Sequence, residues 1–405
     1  MTIIESFEKA PIENLISVLT SKPKKVIYLG DVSQMKAAMV VYERILREKG
    51  IKTEIVLKGI QKNNLPNILH VLAEIVEAEE ECLLDITGGE DLVLLAFGMI
   101  YERYKNTKPV KMQRFNINTG RIIDCDLDDE VSFEGTFSMN VKELISVYGG
   151  VVMPENPQPM VENAMEEVDK VWELARTDST SWNKSISNLK EFERKGNTIE
   201  DDLRMHLDLR GAKDLIGEYY LKYKAVEKLL KEFYRERLIE HLSIEHDVIS
   251  YKYKNLFVKR CLNKAGDALE MKCLFEAMNL EHKGKPYFND CYVGVVIDWD
   301  GIIHPLEENW KDTTNEIDVI LMKGLIPTFV SCKHGKIGEE ELYKLNTVAT
   351  RFGGKYAKKM LIATHLEKES ASSMKAYMQR AKDMNIQLIP NARELSKKDW
   401  QKIFK

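Results

Sequence analysis

The sequence predicts an α/β protein of two domains joined by a mainly helical connector. Three observations carry this. At 405 residues the chain is long for one ordinary core, on a typical domain size of about 150 residues. Short apolar runs alternate with stretches of helical periodicity at both ends of the chain. Between them lies a charged, helix-forming stretch that begins at a cluster of three prolines.

The first domain is expected over residues 1–152. Residues 25–29 read as a strand ending at Gly30, after which Met35, Met39, Tyr42 and Leu46 fall on one helical stripe that stops at Gly50. A second strand is expected at residues 53–57, a helix opened by Pro66 at 65–80, a third strand at 82–86 and a helix at 91–104. This order predicts a parallel sheet covered by helices. Residues 111–116 and 121–124, separated by Ile117-Asn118-Thr119-Gly120, look like a hairpin at the sheet edge. Pro154, Pro157 and Pro159 end the domain.

Residues 153–255 are read as the helical connector and residues 256–405 as the second domain. In the second domain a helix is expected at 263–278 and strands at 292–297, 316–322 and 327–332. A helix at 339–352, a strand at 359–364, a helix at 370–384, a strand at 386–389 and a helix at 394–404 follow. Antiparallel strands thus come first and crossover units after.

With 44% hydrophobic and 30% charged residues the composition is globular, and no apolar run approaches the ~20 residues needed to span a bilayer. Membrane function is therefore not expected. The start Met1-Thr2-Ile3-Ile4-Glu5-Ser6 lacks the basic and apolar regions of a secretory signal, so a cytoplasmic location is expected. None of the six cysteines forms a CxxC pair, which favours reduced, packed thiols over a zinc site or disulfide framework. Charge is uneven: residues 1–150 hold 18 Lys and Arg against 23 Asp and Glu, whereas residues 320–405 hold 17 against 8. A basic C-terminal face can neutralise phosphates, or can simply be a solvated helical surface.

Chemistry is suggested at two places. In Asn315-Glu316-Ile317-Asp318-Val319, residues i and i+2 of a strand share a face, so Glu316 and Asp318 point together while Ile317 and Val319 enter the core. Lys333 lies 15 residues after Asp318, at the end of Phe329-Val330-Ser331-Cys332-Lys333, so a hairpin brings its amine beside those carboxylates. Carboxylate and carbonyl oxygens suit Mg²⁺ or Mn²⁺, and a lysine beside such an ion can orient water and stabilise charge on a phosphate. The plain alternative is a strand pair carrying a surface ion pair. His334, next to Lys333, is read as an exposed strand-end histidine, with contact to phosphate or action as a base as the alternative.

The second place is Leu83-Leu84-Asp85-Ile86-Thr87-Gly88-Gly89, a buried strand emptying into a glycine turn and then a helix. Ligands in parallel sheets sit beyond the carboxyl ends of strands, and helix N-termini favour anions. Gly30-Asp31-Val32-Ser33-Gln34-Met35 is expected to form the adjoining wall. The spacing matches neither a Walker loop nor a GxGxxG fingerprint.

The C-terminal hairpin resembles the PD-(D/E)xK nuclease superfamily, with one departure: the acidic residue usual two before the lysine is Ser331. The resemblance implies catalytic roles for Asp318, Lys333, Glu316 and Ser331. It implies metal contacts from Asp318, the Cys332 backbone carbonyl and Glu316, with Glu270 on the upstream helix as a further carboxylate. Together with the Asp-x-Thr-Gly-Gly turn, the chain resembles the CARF-domain nucleases of type III CRISPR immunity over nearly its whole length.

That family resemblance implies a Rossmann-like CARF domain, a helical connector and a restriction-endonuclease-like domain. It further implies a homodimer that binds cyclic oligoadenylate, often cyclic tetra-adenylate, across its two-fold axis, and Mn²⁺- or Mg²⁺-dependent cleavage of DNA, RNA or both. Gly30, Asp31, Val32, Ser33, Gln34, Met35, Thr87, Gly88 and Gly89 would line the activator pocket. Two alternatives stand beside it: a regulator that has lost catalysis, for which Ser331 argues, and a ring nuclease that cleaves its own cyclic ligand with help from Thr87 or Ser33.

Overall fold

In the computed structural model the described residues are 1–8, 10–125, 129–132, 138–153, 165–262, 264–303, 313–334, 337–366 and 370–405. The chain opens with β1 (Thr2–Ser6), α1 (Pro11–Ser21), β2 (Lys25–Gly30), α2 (Val32–Glu48), β3 (Glu54–Gly59), α3 (Leu65–Ala78), β4 (Cys82–Asp85) and α4 (Asp91–Tyr104). There follow β5 (Val110–Asn116), β6 (Arg121–Asp124), β7 (Asp129–Ser132), α5 (Val141–Val147) and β8 (Val151–Val152). Local signals set several of these starts: Pro11 occupies the first turn of α1, Asp31 caps α2 by accepting the Ser33 and Gln34 N–H groups, and Asn64 caps α3.

The first sheet has the order β3-β2-β1-β4-β5-β6-β7, parallel from β3 to β5 and closed by the antiparallel β6 and β7. Strands 3-2-1-4-5 are in Rossmann order, with the switch point between β1 and β4. The central strand β1 and helix α1 are absent from the sequence reading. Glu5 and Ser6 interrupt the apolar run of β1, and α1 buries Glu13, Asn14, Ser17 and Thr20 beside its apolar residues, which erases the amphipathic stripe.

The connector contains α6 (Met165–Thr177), α7 (Ser179–Lys195), β9 (Asn197–Asp201), β10 (Arg204–Asp208), α8 (Tyr219–Arg235), β11 (Ile239–Glu245) and β12 (Val248–Tyr253). The expected helices are joined by an unexpected four-stranded antiparallel sheet, ordered β11-β12-β10-β9. Four of the five residues of β9 are exposed, so its polar composition conceals a strand that only backbone pairing with β10 creates.

The remainder comprises α9 (Leu256–Cys261), α10 (Asp267–Met278), β13 (Glu281–His282), β14 (Lys285–Pro286), β15 (Asp290–Asp298), β16 (Thr314–Lys323) and β17 (Ile326–Lys333). It ends with α11 (Glu340–Gly353), β18 (Lys358–Ala363), α12 (Ala371–Asp383), β19 (Ile386–Ile389) and α13 (Lys397–Ile403). The third sheet runs β19-β18-β17-β16-β15-β8: an antiparallel meander through β15, β16 and β17, then parallel β18 and β19. Its short edge strand β8 comes from residues 151–152, pairing with Ile297 and Asp298.

Two cores meet on this third sheet. One joins Phe329, Leu361 and Phe352 to α1, α2 and α5, and the other joins Val330, Cys332 and Met360 to α10, α13 and the connector. No helix among the described residues is long and apolar enough to cross a membrane.

Candidate functional site

Strands β16 and β17 pair from Lys323–Ile326 at their turn to Val319–Val330, but β17 continues to Lys333 paired only with β18. The two strands therefore part at Asp318. Its Oδ2 fills the gap, accepting the Cys332 N–H at 2.6 Å, the Ser331 hydroxyl at 3.2 Å and Lys333 Nζ at 3.4 Å. Ser331 thus gives Asp318 a hydrogen-bond donor where a second carboxylate would repel it. A strand residue presents N–H and C=O on the same edge, so the Cys332 carbonyl faces this gap too.

Lys333 is shared with Glu341 of α11, at 3.0 Å, and Glu341 also holds Lys344 at 2.8 Å. Burial lowers the Lys333 pKa, but Asp318 and Glu341 outweigh it and keep the ammonium charged.

Glu316 is paired with Lys264 at 3.2 Å rather than with Lys333. Ile317 and Val319 are both buried, but in different cores, and Gly294 lies between their β15 partners with φ +58°. The simple alternation of the strand is interrupted at Asp318.

Glu270 stands opposite on α10. Burial pushes its carboxyl up to about 9, with further increases from Asp318, Asp267 and Glu316; burial likewise raises Asp267 to about 6. Asp267, Glu270 and Glu316 line a cavity of about 350 Å³ closed by Lys190, Lys259, Arg260 and Lys264. Lys190 belongs to the connector, and its proximity was not legible in the sequence.

Among the described residues no three His, Cys, Asp or Glu side chains are already gathered into a metal-coordinating group. The chemistry of the donors nevertheless fits a hard divalent cation. Asp318, Glu316, Glu270 and the Cys332 carbonyl offer oxygen, and burial together with the neighbouring carboxylates, which neutralise Glu270, is a penalty that a bound cation offsets. His334 differs from the exposed residue expected: it is largely buried against Trp172, and burial followed by His365 lowers its pKa to about 4. It is neutral at physiological pH and sits in packing.

At the carboxyl end of the first sheet, Phe7, Glu8, Asp31, Gln34, Ile60, Lys62 and Glu90 line a cavity of about 520 Å³. Of the expected wall, Asp31 and Gln34 face it, and Val32 and Ser33 are exposed beside it at the start of α2. Met35 is fully buried in the core behind it, and Gly30 is covered: a Cβ there would lie 3.2 Å from Phe7. Phe7, Glu8, Ile60, Lys62 and Glu90 were missed because four of them follow β1 and β3, whose ends were not identified as walls. Lys62 reaches Glu90 at 3.0 Å and the Phe7 carbonyl at 3.2 Å.

The Thr87-Gly88-Gly89 turn is held from below. Thr87 is buried, its hydroxyl accepting the Phe115 N–H at 2.8 Å, while its own N–H donates to Asp85 at 2.8 Å. Asp85 also accepts from Ser17 at 2.5 Å and Gln113 at 3.0 Å, and burial raises its pKa. A Cβ on Gly88 would sit 2.8 Å from Glu13 Oε2, and Gly89 has φ +150°, with a Cβ only 2.6 Å from Leu94. Gly88→Ala is expected to cost about 1–3 kcal/mol by overpacking against Glu13, measured as a lower midpoint in chemical unfolding. Glu13 is itself buried, accepts from the Tyr356 hydroxyl at 2.5 Å and pairs with Lys355 at 2.6 Å, joining this turn to the residues that follow α11.

No family model and no curated protein matches the chain. Its structure is similar to protein VC1899 from Vibrio cholerae, at 15% identity and a TM-score of 0.72 over 100% of this chain and 96% of that one. It is also similar to Can2 from Sulfobacillus thermosulfidooxidans, solved in complex with cyclic tetra-adenylate, at 16% identity and a TM-score of 0.66 over 100% and 96%. The chain accordingly shares the fold of these two proteins, in which a sheet of Rossmann strand order is followed by a connector and a second α/β sheet.

Proposed function

We propose that this protein is a cyclic-oligoadenylate-activated, divalent-metal-dependent nuclease of type III CRISPR defence, acting as a homodimer on DNA or RNA with cyclic tetra-adenylate as its activator. The observation that carries the catalytic half is the parted β16–β17 pair, with Asp318 in the gap and Lys333 beside it. The activator half is supported by the cavity at the carboxyl ends of β1, β2 and β3 in a fold shared with a protein solved with cyclic tetra-adenylate. A two-fold symmetric ligand is met by the same loops from each of two copies, and α4 exposes Leu95 and Met99 one turn apart as an apolar strip for such pairing.

In this reading Asp318, Glu316, Glu270 and the Cys332 carbonyl hold Mn²⁺ or Mg²⁺, which when bound supplies Lewis-acid polarisation of the phosphate and an acidified water. Lys333 Nζ orients the attacking water and balances charge developing on the phosphate oxygens. Ser331 fixes the Asp318 carboxylate through its hydroxyl. Arg260 and Lys264 lie on the cavity rim, where Lys190 and Lys259 are paired with Glu193 and Glu200.

The test is an incubation of purified protein with plasmid DNA, single-stranded DNA and RNA, each with and without cyclic tetra-adenylate and Mn²⁺. Cleavage only when both are present is the expected result. Binding of the ligand without cleavage of any substrate would make the protein a regulator. Disappearance of intact cyclic tetra-adenylate would make it a ring nuclease.

A further inference from the structure

We infer that a basic groove at the turn end of the third sheet, remote from Asp318, binds the phosphate backbone of a nucleic-acid single strand that extends away from the catalytic gap. The inference rests on the nuclease reading and names where its substrate is held. The groove has a volume of about 900 Å³ and is bordered by the start of β18, the end of α12, β19 and the end of α13. Lys358, Lys382, Lys402 and Lys405 are all exposed along it, and no aspartate or glutamate lines it among the described residues. A neighbouring hollow of about 410 Å³ shares Ile326, Thr328 and Lys358 and adds Lys323, whose ammonium lies 3.9 Å from the Tyr287 ring centre.

The other charges nearby are accounted for. Lys359 is committed to Asn346 at 2.8 Å and the Met384 carbonyl at 2.5 Å, and Lys355 to Glu13. Ser396 caps α13 and Asp399 closes the capping box, its pKa lowered first by the Ser396 hydrogen bonds and last by Lys402, and Asp383 accepts from Gln379. Lys382 and Lys402 also complement the C-terminal ends of α12 and α13, but no helix end explains Lys323 or Lys358. Four exposed lysines thus border a concave surface with an apolar floor of Met360, Ile386 and Leu388 and the amides of Asn385 and Gln387. A positive groove with apolar and amide contacts matches a single strand, whose phosphates and bases are both accessible, better than the regular backbone of a duplex.

Geometry adds a length requirement. Strand β17 runs from Ile326 at the groove to Lys333 at the catalytic gap. Seven residue steps at ~3.3 Å make about 23 Å, the least distance that a strand held at both places must span.

The test is metal-free binding of fluorescent single-stranded DNA of about four and about twenty nucleotides, followed by anisotropy against salt. Wild type is compared with the triple variant Lys358→Glu, Lys382→Glu, Lys402→Glu and with the same positions changed to Gln. Thermal melting confirms that each variant is folded. The expected result is at least about tenfold weaker binding of the long strand in the Glu variant and a salt slope smaller by about 2. The Gln variant should fall between, and the short strand should be affected far less.

Equal binding of the long strand by wild type and the folded Gln and Glu variants overturns the inference, as does tighter, lysine-dependent binding of duplex than of single strand. Lysine-dependent binding with no cleavage under any condition supports the groove and removes the nuclease reading. Cleavage with no lysine-dependent binding does the reverse.

Discussion

Asp318→Asn is expected to reduce metal- and activator-dependent cleavage by on the order of 10³-fold, with binding of cyclic tetra-adenylate unchanged. The carboxylate accepts three donors at once, from Cys332, Ser331 and Lys333. All three meet at Oδ2, so an amide of the same size can keep its oxygen on them, but it removes the charge that pairs with Lys333 and the anionic oxygen that a divalent cation prefers. Lys333→Met tests the other side of the pair. It leaves Asp318 its Cys332 and Ser331 bonds but removes the cation, and should cause a loss of similar size. Cleavage rates at saturating Mn²⁺ decide the matter: wild-type rates in both variants would move the active site elsewhere. A loss in Asp318→Asn that excess Mn²⁺ restores would place Asp318 in metal binding rather than in aligning Lys333.

The second large effect belongs to Glu270. Its carboxyl is pushed up to about 9 by burial first and by Asp318, Asp267 and Glu316 next, so the metal-free protein holds a proton there at neutral pH. A carboxyl whose folded pKa lies above its unfolded value stabilises the protein fully below about pH 4.5, and that contribution is lost progressively as pH rises toward about 9. A cation bound by the ionised carboxylate must displace the proton, so apparent Mg²⁺ affinity should rise by up to about tenfold per pH unit over this window.

Melting with and without Mg²⁺ at pH 6 and 8.5 should therefore show metal stabilisation growing with pH in wild type. In Glu270→Gln, which carries no titrating proton, the metal-free Tm at pH 8.5 should rise by several degrees and the growth should vanish. An unchanged pH dependence in that variant would remove Glu270 from the metal site.

The C-terminal half was legible because its signals are local. Apolar runs and turn chemistry place β16 and β17 within two residues of their expected positions, and the spacing of Asp318 and Lys333 puts both at one end of a hairpin. What was not legible is the parting of the strands, since nothing in Ser331-Cys332-Lys333 states that β17 leaves β16 for β18. Glu341 was equally hidden: it lies in the first turn of α11, and only the return of that helix across the sheet brings it to Lys333.

The N-terminal site shows the opposite balance. Its glycines stood out, yet Gly88 and Gly89 are required by close packing against Glu13 and Leu94, while Lys62 and Glu90 meet because the helices they precede, α3 and α4, pack side by side.

The order of residues by itself determined two α/β units, the β16–β17 hairpin and the residues at its open end, because periodicity and turn preferences act over a few residues. Tertiary structure alone decided that Ser331 supports Asp318, that Glu316 pairs with Lys264, that Glu270 is kept protonated and that the connector's Lys190 closes the cavity. Those outcomes depend on burial and on charges brought together across long separations, and neither is encoded by any single stretch of the chain.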